Sequence, residues 1–223
     1  MNFENLKILV MGDVMLDAYL WGDVNRISPE APVPVVEMKG TSKTLGGAGN
    51  VALNLAGLGV QVDMVSAIGD DDAGKLVQAI CRENGINDRF VIDSRKTTIK
   101  TRVVAHDQQL IRIDSEDTIP VTLPDIEYSR YDAVVLSDYC KGFFHRYVEI
   151  PNEIKTFVDT KFPDWGKFTG AYCVTPNEDE WAVAQNTDMV DTILRTMGAE
   201  GMVLDDGEQE TYIPSCAKEV YDV

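Results

Sequence analysis

The chain has 223 residues, enough for one fairly large domain, and 44% of them are apolar, ample for a core. Its 37 acidic against 20 basic side chains give a formal net charge of −17, which argues against a nucleic-acid or anionic-membrane partner. Cys81, Cys140, Cys173 and Cys216 stand far apart and His106 and His145 are the only histidines, so no zinc-type cluster is predicted and reduced thiols are expected.

From the N-terminus, Phe3-Glu4-Asn5-Leu6 shows no basic region followed by an apolar run. No stretch approaches the roughly 18 apolar residues of a membrane span, and a cytoplasmic location is expected. Lys7–Met11 is a short apolar run ending at Gly12-Asp13, a buried strand and a polar turn. Asp13 and Asp17 follow at once. Carboxylates beyond a strand's carboxyl end can accept hydrogen bonds from adjacent sugar hydroxyls, although a turn residue and a helix cap would account for the same spacing.

Residues 19–39 carry Trp21-Gly22-Asp23 and the proline-rich run Ala31 to Val36, a pattern of edge strands. The segment is expected to be a small β flap, either packed on the parent domain or exposing Trp21, Val33 and Val35 to a partner. Next, Gly46-Gly47-Ala48-Gly49-Asn50 leads into a helix over Asn50–Leu58, with Asn50 the predicted cap and Gly59 the stop. Glycines there let backbone approach a ligand at a helix N-terminus. The match to a dinucleotide fingerprint is weak, because the preceding Lys39–Thr44 is no apolar strand and no acidic residue stands about 20 residues on.

A strand is predicted over Val60–Ile68 and a helix over Asp72–Asn84, stopped by Gly85. Further strands are expected at Phe90–Asp93, Ala133–Ser137, Thr156–Asp159, Ala171–Val174 and Met202–Asp205, and a hairpin over residues 99–113. Lys100 and Arg102 alternate on one face of that hairpin with Arg112 on the return, so the three form either an anion site or plain surface charge. Pro176-Asn177-Glu178-Asp179-Glu180 opens a helix. Its carboxylates suit the helix dipole and, in a phosphotransferase, could hold Mg²⁺ through water. The alternation of strands and helices predicts an α/β fold with a mostly parallel sheet.

Together these segments resemble the ribokinase/PfkB carbohydrate kinases, from Gly12-Asp13 to the last residue. The stretches that carry the resemblance are Gly12 to Asp17, Arg26 to Val35, Gly46 to Ala52, Lys100-Thr101-Arg102, Gln108 to Arg112 and Leu136 to Gly142. The nearest subgroup is the heptose-7-phosphate kinases, including the kinase half of the bifunctional heptose kinase/adenylyltransferase. The resemblance implies a ribokinase-like domain over residues 1–223 with a lid that pairs two subunits. It implies that Asp13, Asp17, Gly46, Gly47, Asn50 and Asp138 bind the sugar, and that Lys100, Arg102 and Lys141 hold its phosphate. Asn177 and Glu180 match the N-x-x-E motif that organises Mg²⁺, through water at Glu180, and ATP. The implied reaction moves the γ-phosphoryl group to the anomeric hydroxyl of a heptose 7-phosphate.

Four departures accompany this. The tail Glu219–Val223 matches the segment that precedes the family's Gly-Ala-Gly-Asp turn, so the catalytic Asp is expected beyond Val223 and the domain to be C-terminally truncated. The connection from Asp138 to Asp159 is short, Asp159-Thr160-Lys161 replaces Asp-Pro-Lys, and the span from Glu180 to Gly201 is trimmed. Little turnover is therefore expected from this chain alone, with either a second polypeptide completing it or a non-catalytic binding module as the outcome.

Overall fold

The computed structural model describes residues 3–151 and 153–216; the tail Glu219–Val223 lies outside the described residues. In chain order the strands begin with β1 (Lys7–Gly12), β2 (Val14–Ile27) and β3 (Pro34–Gly47), followed by helix α1 (Ala48–Gly57). Then come β4 (Gln61–Val65), β5 (Ala67–Gly69), helix α2 (Asp72–Glu83), β6 (Asn87–Asp88), β7 (Val91–Asp93), β8 (Ile99–Ala105) and β9 (Gln108–Ser115). The last third holds β10 (Ala133–Asp138), β11 (Lys155–Thr160), β12 (Cys173–Val174), helix α3 (Glu178–Val183), β13 (Ile193–Thr196), β14 (Gly201–Asp205) and β15 (Glu210–Pro214).

The main sheet has nine strands in the order β15-β14-β13-β12-β11-β10-β1-β4-β6. From β13 to β6 the pairings are parallel, and β14 and β15 add an antiparallel edge. Leu9, Val10 and Met11 of β1 are essentially inaccessible. That continuous apolar run is what a parallel strand covered on both faces requires. One face packs Leu9, Met11, Leu136, Val158, Phe143, Trp165 and Phe168. The other packs Ile8, Val10, Met64, Ala48, Ala52, Val77 and Cys81 against α1 and α2.

The helices start and stop for local reasons. Asp71 caps α2, its carboxylate accepting from Gly74 N–H at 2.7 Å and from Thr97 N–H at 2.9 Å. Gly85, at φ +70°, supplies the left-handed residue that ends α2, and Gly59, at φ +85°, does the same for α1. The predicted cap of α1 is corrected: Gly47 occupies the cap position and Asn50 sits inside the first turn. The predicted strand over residues 60–68 is also divided. Ser66 breaks it, because its hydroxyl donates to the Gly12 carbonyl at 2.5 Å and accepts from Val14 N–H at 3.0 Å.

The flap and the hairpin form one structure. β3, β2, β8 and β9 make a four-stranded lid sheet, with β2 antiparallel to β3 and parallel to β8. The lid starts at Val14 and returns at Gly47, longer than the 19–39 expected. Residues 39–44 are strand despite their polarity, because both faces there are exposed and only the pairing with β2 defines them. Among the described residues no helix is long and apolar enough to cross a membrane.

Candidate functional site

Because β1, β10, β11 and β12 run parallel, their carboxyl ends share one edge, where ligands of open α/β sheets bind. Asp13 stands at the centre of that edge and is 4% exposed. Its carboxylate accepts three backbone N–H groups from the loop after β10: Tyr139 at 2.9 Å, Lys141 at 3.0 Å and Phe143 at 3.1 Å. The loop can present alternate N–H groups because Cys140 and Gly142 both take positive φ. Burial raises the Asp13 pKa, the loop N–H groups pull it back, and neighbouring Asp138 adds to the rise. Asp13 is thus the clamp that fixes the loop.

The lid carries the next set. Register places Asp17 opposite Lys100, Tyr19 opposite Arg102, and Arg102 opposite Arg112, so these side chains share the lid's inner face. Arg102 donates to Asp17 at 2.5 Å, and its guanidinium lies 5.3 Å from the Tyr19 ring, which stacks on Trp21. Gly46 borders Asp17 so closely that a Cβ there would stand 2.2 Å from the Asp17 carboxylate. At Gly47 a Cβ would stand 2.4 Å from the Asp13 carbonyl oxygen, and φ is +57°. Gly47 is required by its positive φ and the Asp13 backbone, whereas a side chain at Gly46 would have to displace the Asp17 carboxylate.

Lys100 differs from its neighbours. Lys141 is paired with Glu116 at 2.7 Å and Arg102 with Asp17, whereas no carboxylate lies within ion-pair distance of Lys100 among the described residues. Burial, then the charges of Lys141 and Arg112, lower the Lys100 pKa. A cation held near other cations in a partly buried place is one an anionic ligand would relieve.

At the carboxyl end of β11, Asp159 faces the helix α3. Burial and then the Glu180 carboxylate push the Asp159 carboxyl up to about 6 from an ordinary 3.8. Asn177 and Glu180 form a capping box: the Asn177 side chain accepts Glu180 N–H at 2.9 Å, and Glu180 Oε2 accepts Asn177 N–H at 2.9 Å. Glu180 Oε1 takes Lys161 Nζ at 3.2 Å. Tyr139 stands between the two regions, its ring 5.2 Å from Lys161 Nζ and 6.0 Å from Lys100 Nζ. Burial, then Asp159, Glu180 and Asp17, raise its hydroxyl pKa to about 12.

The structure therefore gathers Asp13, Asp17, Gly46, Gly47, Lys100, Arg102 and Lys141 around one mouth, with Asn177 and Glu180 along the same edge. Two residues have side chains engaged elsewhere. Asn50 is exposed on α1, its side chain accepting from Asn54 at 3.5 Å. Asp138 is fully buried, ion-paired with Lys167 at 2.6 Å and accepting from Cys140 N–H at 3.0 Å. Sequence reasoning missed Lys167 and the turn between β13 and β14. In that turn Gly198 and Gly201 take positive φ, and Thr196 bridges to Asn177. The glycine pair in Thr196-Met197-Gly198-Ala199-Glu200-Gly201 was a readable signal for a backbone loop at this edge.

The sequence profile described as pfkB family carbohydrate kinase matches residues 5–143. The bifunctional protein HldE of Sulfurimonas denitrificans is 39% identical over 255 residues, covering 97% of this chain and 53% of that protein. The bifunctional protein HldE of Trichlorobacter lovleyi is 40% identical over 259 residues, covering 99% and 52%. The chain thus spans about half the length of the curated relatives it matches. Among solved structures, a ribokinase from Thermotoga maritima superposes with a TM-score of 0.70 at 18% identity, covering 97% of this chain and 80% of that one. A ribokinase from Arabidopsis thaliana, solved with ribose and ATP, gives 0.66 at 16% identity, covering 95% and 78%. These likenesses show a ribokinase-like fold.

Proposed function

The chain belongs to the pfkB family of carbohydrate kinases, and on that premise we propose that it binds a sugar phosphate between the lid and the edge of the main sheet. The reaction that fits is ATP-dependent phosphorylation of D-glycero-D-manno-heptose 7-phosphate at its anomeric hydroxyl. Lys100 carries this reading: a partly buried cation without a carboxylate partner among the described residues, on the same lid face as Asp17. In it, Lys100 takes the substrate's existing phosphate, with Lys141 and Arg102 beside it. Asp17 accepts hydrogen bonds from sugar hydroxyls, and Asp13 keeps the loop 139–143 in place to close the pocket.

Asp159 and Glu180 fit a hydrated magnesium ion, since burial and the Glu180 carboxylate raise the cost of charge on Asp159 and a cation beside it would relieve that cost. Among the described residues no third carboxylate, His or Cys completes a metal-ligand group with them. When bound, Mg²⁺ would neutralise phosphate charge on the nucleotide. This chain's part is then to release Lys161 from Glu180, free to meet the nucleotide's phosphates, while the capping box keeps α3 in place.

A second reading is a non-catalytic sugar-phosphate-binding or subunit-interaction module. It is favoured by the state of Glu180, whose two oxygens are both engaged, by Lys161 and by Asn177 N–H. Calorimetry separates the two. Binding of heptose 7-phosphate together with Mg-ATP, and release of ADP, supports the kinase; sugar-phosphate binding without nucleotide binding supports the module.

The lid's outer face is proposed to pair with a second copy of the chain. Val103 faces Ile111, and Ile111, Ile113 and Met38 are 55%, 54% and 51% exposed on that side. The face is uncharged along these residues, so two copies can meet there despite the acidity of the chain.

A further inference from the structure

A cavity of about 750 Å³ opens between the loop after β10 and the loop after β11, within the roughly 300–1,000 Å³ of small-molecule sites. It shares only Cys140 and Gly142, of the loop 139–143, with the site already described. Ser137 pairs with Asp159 and Asp138 with Thr160, and neighbours along a strand point to opposite faces. Asp138 therefore lies on one side of the sheet and Asp159 on the other. The cavity is on the Asp138 side, since Lys167 lines it and binds Asp138. Most of its lining also lies beyond residue 143, where the match to the family profile ends.

The lining has a definite chemistry. Phe144, Tyr147 and Phe162 supply rings, and Tyr147 is 77% exposed, a ring with little packed against it. Arg146 is exposed beside them, and Lys167 Nζ stands 4.5 Å from the Phe162 ring. Asp164 is the one carboxylate of the lining among the described residues. Its Oδ1 is already held by Gly166 N–H at 3.0 Å and Asn186 Nδ2 at 2.7 Å. In a chain of net charge −17, this cavity sets the cation of Arg146 among aromatic faces, while Lys167 is held by Asp138.

We infer that the cavity is a binding site for a small planar aromatic anion. The ring would lie against Tyr147 and Phe162, and the anionic group would meet Arg146, a residue suited to forked contacts with phosphate or carboxylate. The inference does not rest on the sugar-phosphate reading, because none of these residues serves it.

Calorimetry on the full chain with phenyl phosphate as the probe tests it, with inorganic phosphate and benzyl alcohol supplying the charge and the ring separately. Phenyl phosphate should bind more tightly than either, and Arg146→Ala and Phe162→Leu should each weaken it by about tenfold. Both residues are solvent-accessible, and Phe162→Leu keeps an apolar side chain, so the variants should fold; circular dichroism checks this. Lys100→Met, at the lid, should leave the affinity for phenyl phosphate unchanged. The inference is overturned if phenyl phosphate fails to bind or binds no better than inorganic phosphate. It is equally overturned if Lys100→Met abolishes binding while Arg146→Ala does not.

Discussion

Asp159 carries a charge that the fold opposes. Its pKa is about 6 in the folded chain against an ordinary 3.8, raised by burial and then by Glu180. Between those values the native state binds more protons than the unfolded chain, so stability falls as pH rises through about 4 to about 6. Asp159→Asn should remove that slope and raise stability at pH 7 by roughly 1–3 kcal/mol, read by urea denaturation at several pH values. An unchanged slope would show that Asp159 is not the group responsible. Lys167 presents the opposite case. Lys167→Met strands the fully buried Asp138 carboxylate without its partner and should cost about 3–5 kcal/mol. A thermal melt no different from wild type would contradict the ion pair. This pair was illegible in the sequence: the residues are 29 apart, and nothing in Trp165-Gly166-Lys167-Phe168 marks its lysine as an inward one. Asp13, Asp17 and the two glycines were legible because backbone approach and strand-end position leave a local trace.

At the level of elements, the parallel strands were the most readable part, since burial on both faces forces continuous apolar runs such as Ala133–Ser137. Elements fixed by pairing were not. The lid strand through Lys39–Thr44 has no apolar periodicity, and β13 at Ile193–Thr196 is short and joins the sheet by a single parallel pairing to β12. The helix opened by Asn177 was legible through its acidic first turn, and the structure adds a capping box engaged on both sides. The same box explains why N-x-x-E by itself is weak evidence for a nucleotide. The lid's outer face leads to a further expectation. If two copies meet there, Ile111→Asp with Ile113→Asp should convert a dimer to a monomer in sedimentation, with the melting temperature of the lone chain little changed. A wild-type chain that sediments as a monomer at high micromolar concentration would refute the pairing.

For the molecule as a whole, the two sides of the site differ in readiness. On the lid side Lys100 faces the mouth with no carboxylate partner among the described residues, and Gly46 gives Asp17 its room. On the α3 side Glu180 is occupied by Lys161 and by the capping box. The fold class and the family could be read from the order of the motifs, whereas this asymmetry could not, because it depends on which side chains meet across 19 to 85 residues of sequence. The most direct test compares heptose 7-phosphate with the same heptose lacking phosphate, by calorimetry on wild type and Lys100→Met. Wild type should prefer the phosphorylated sugar by on the order of 10–100-fold, and Lys100→Met should erase most of that preference while still binding the sugar weakly. Equal affinity of wild type for both sugars, or a preference untouched in Lys100→Met, would contradict a sugar-phosphate site at the lid.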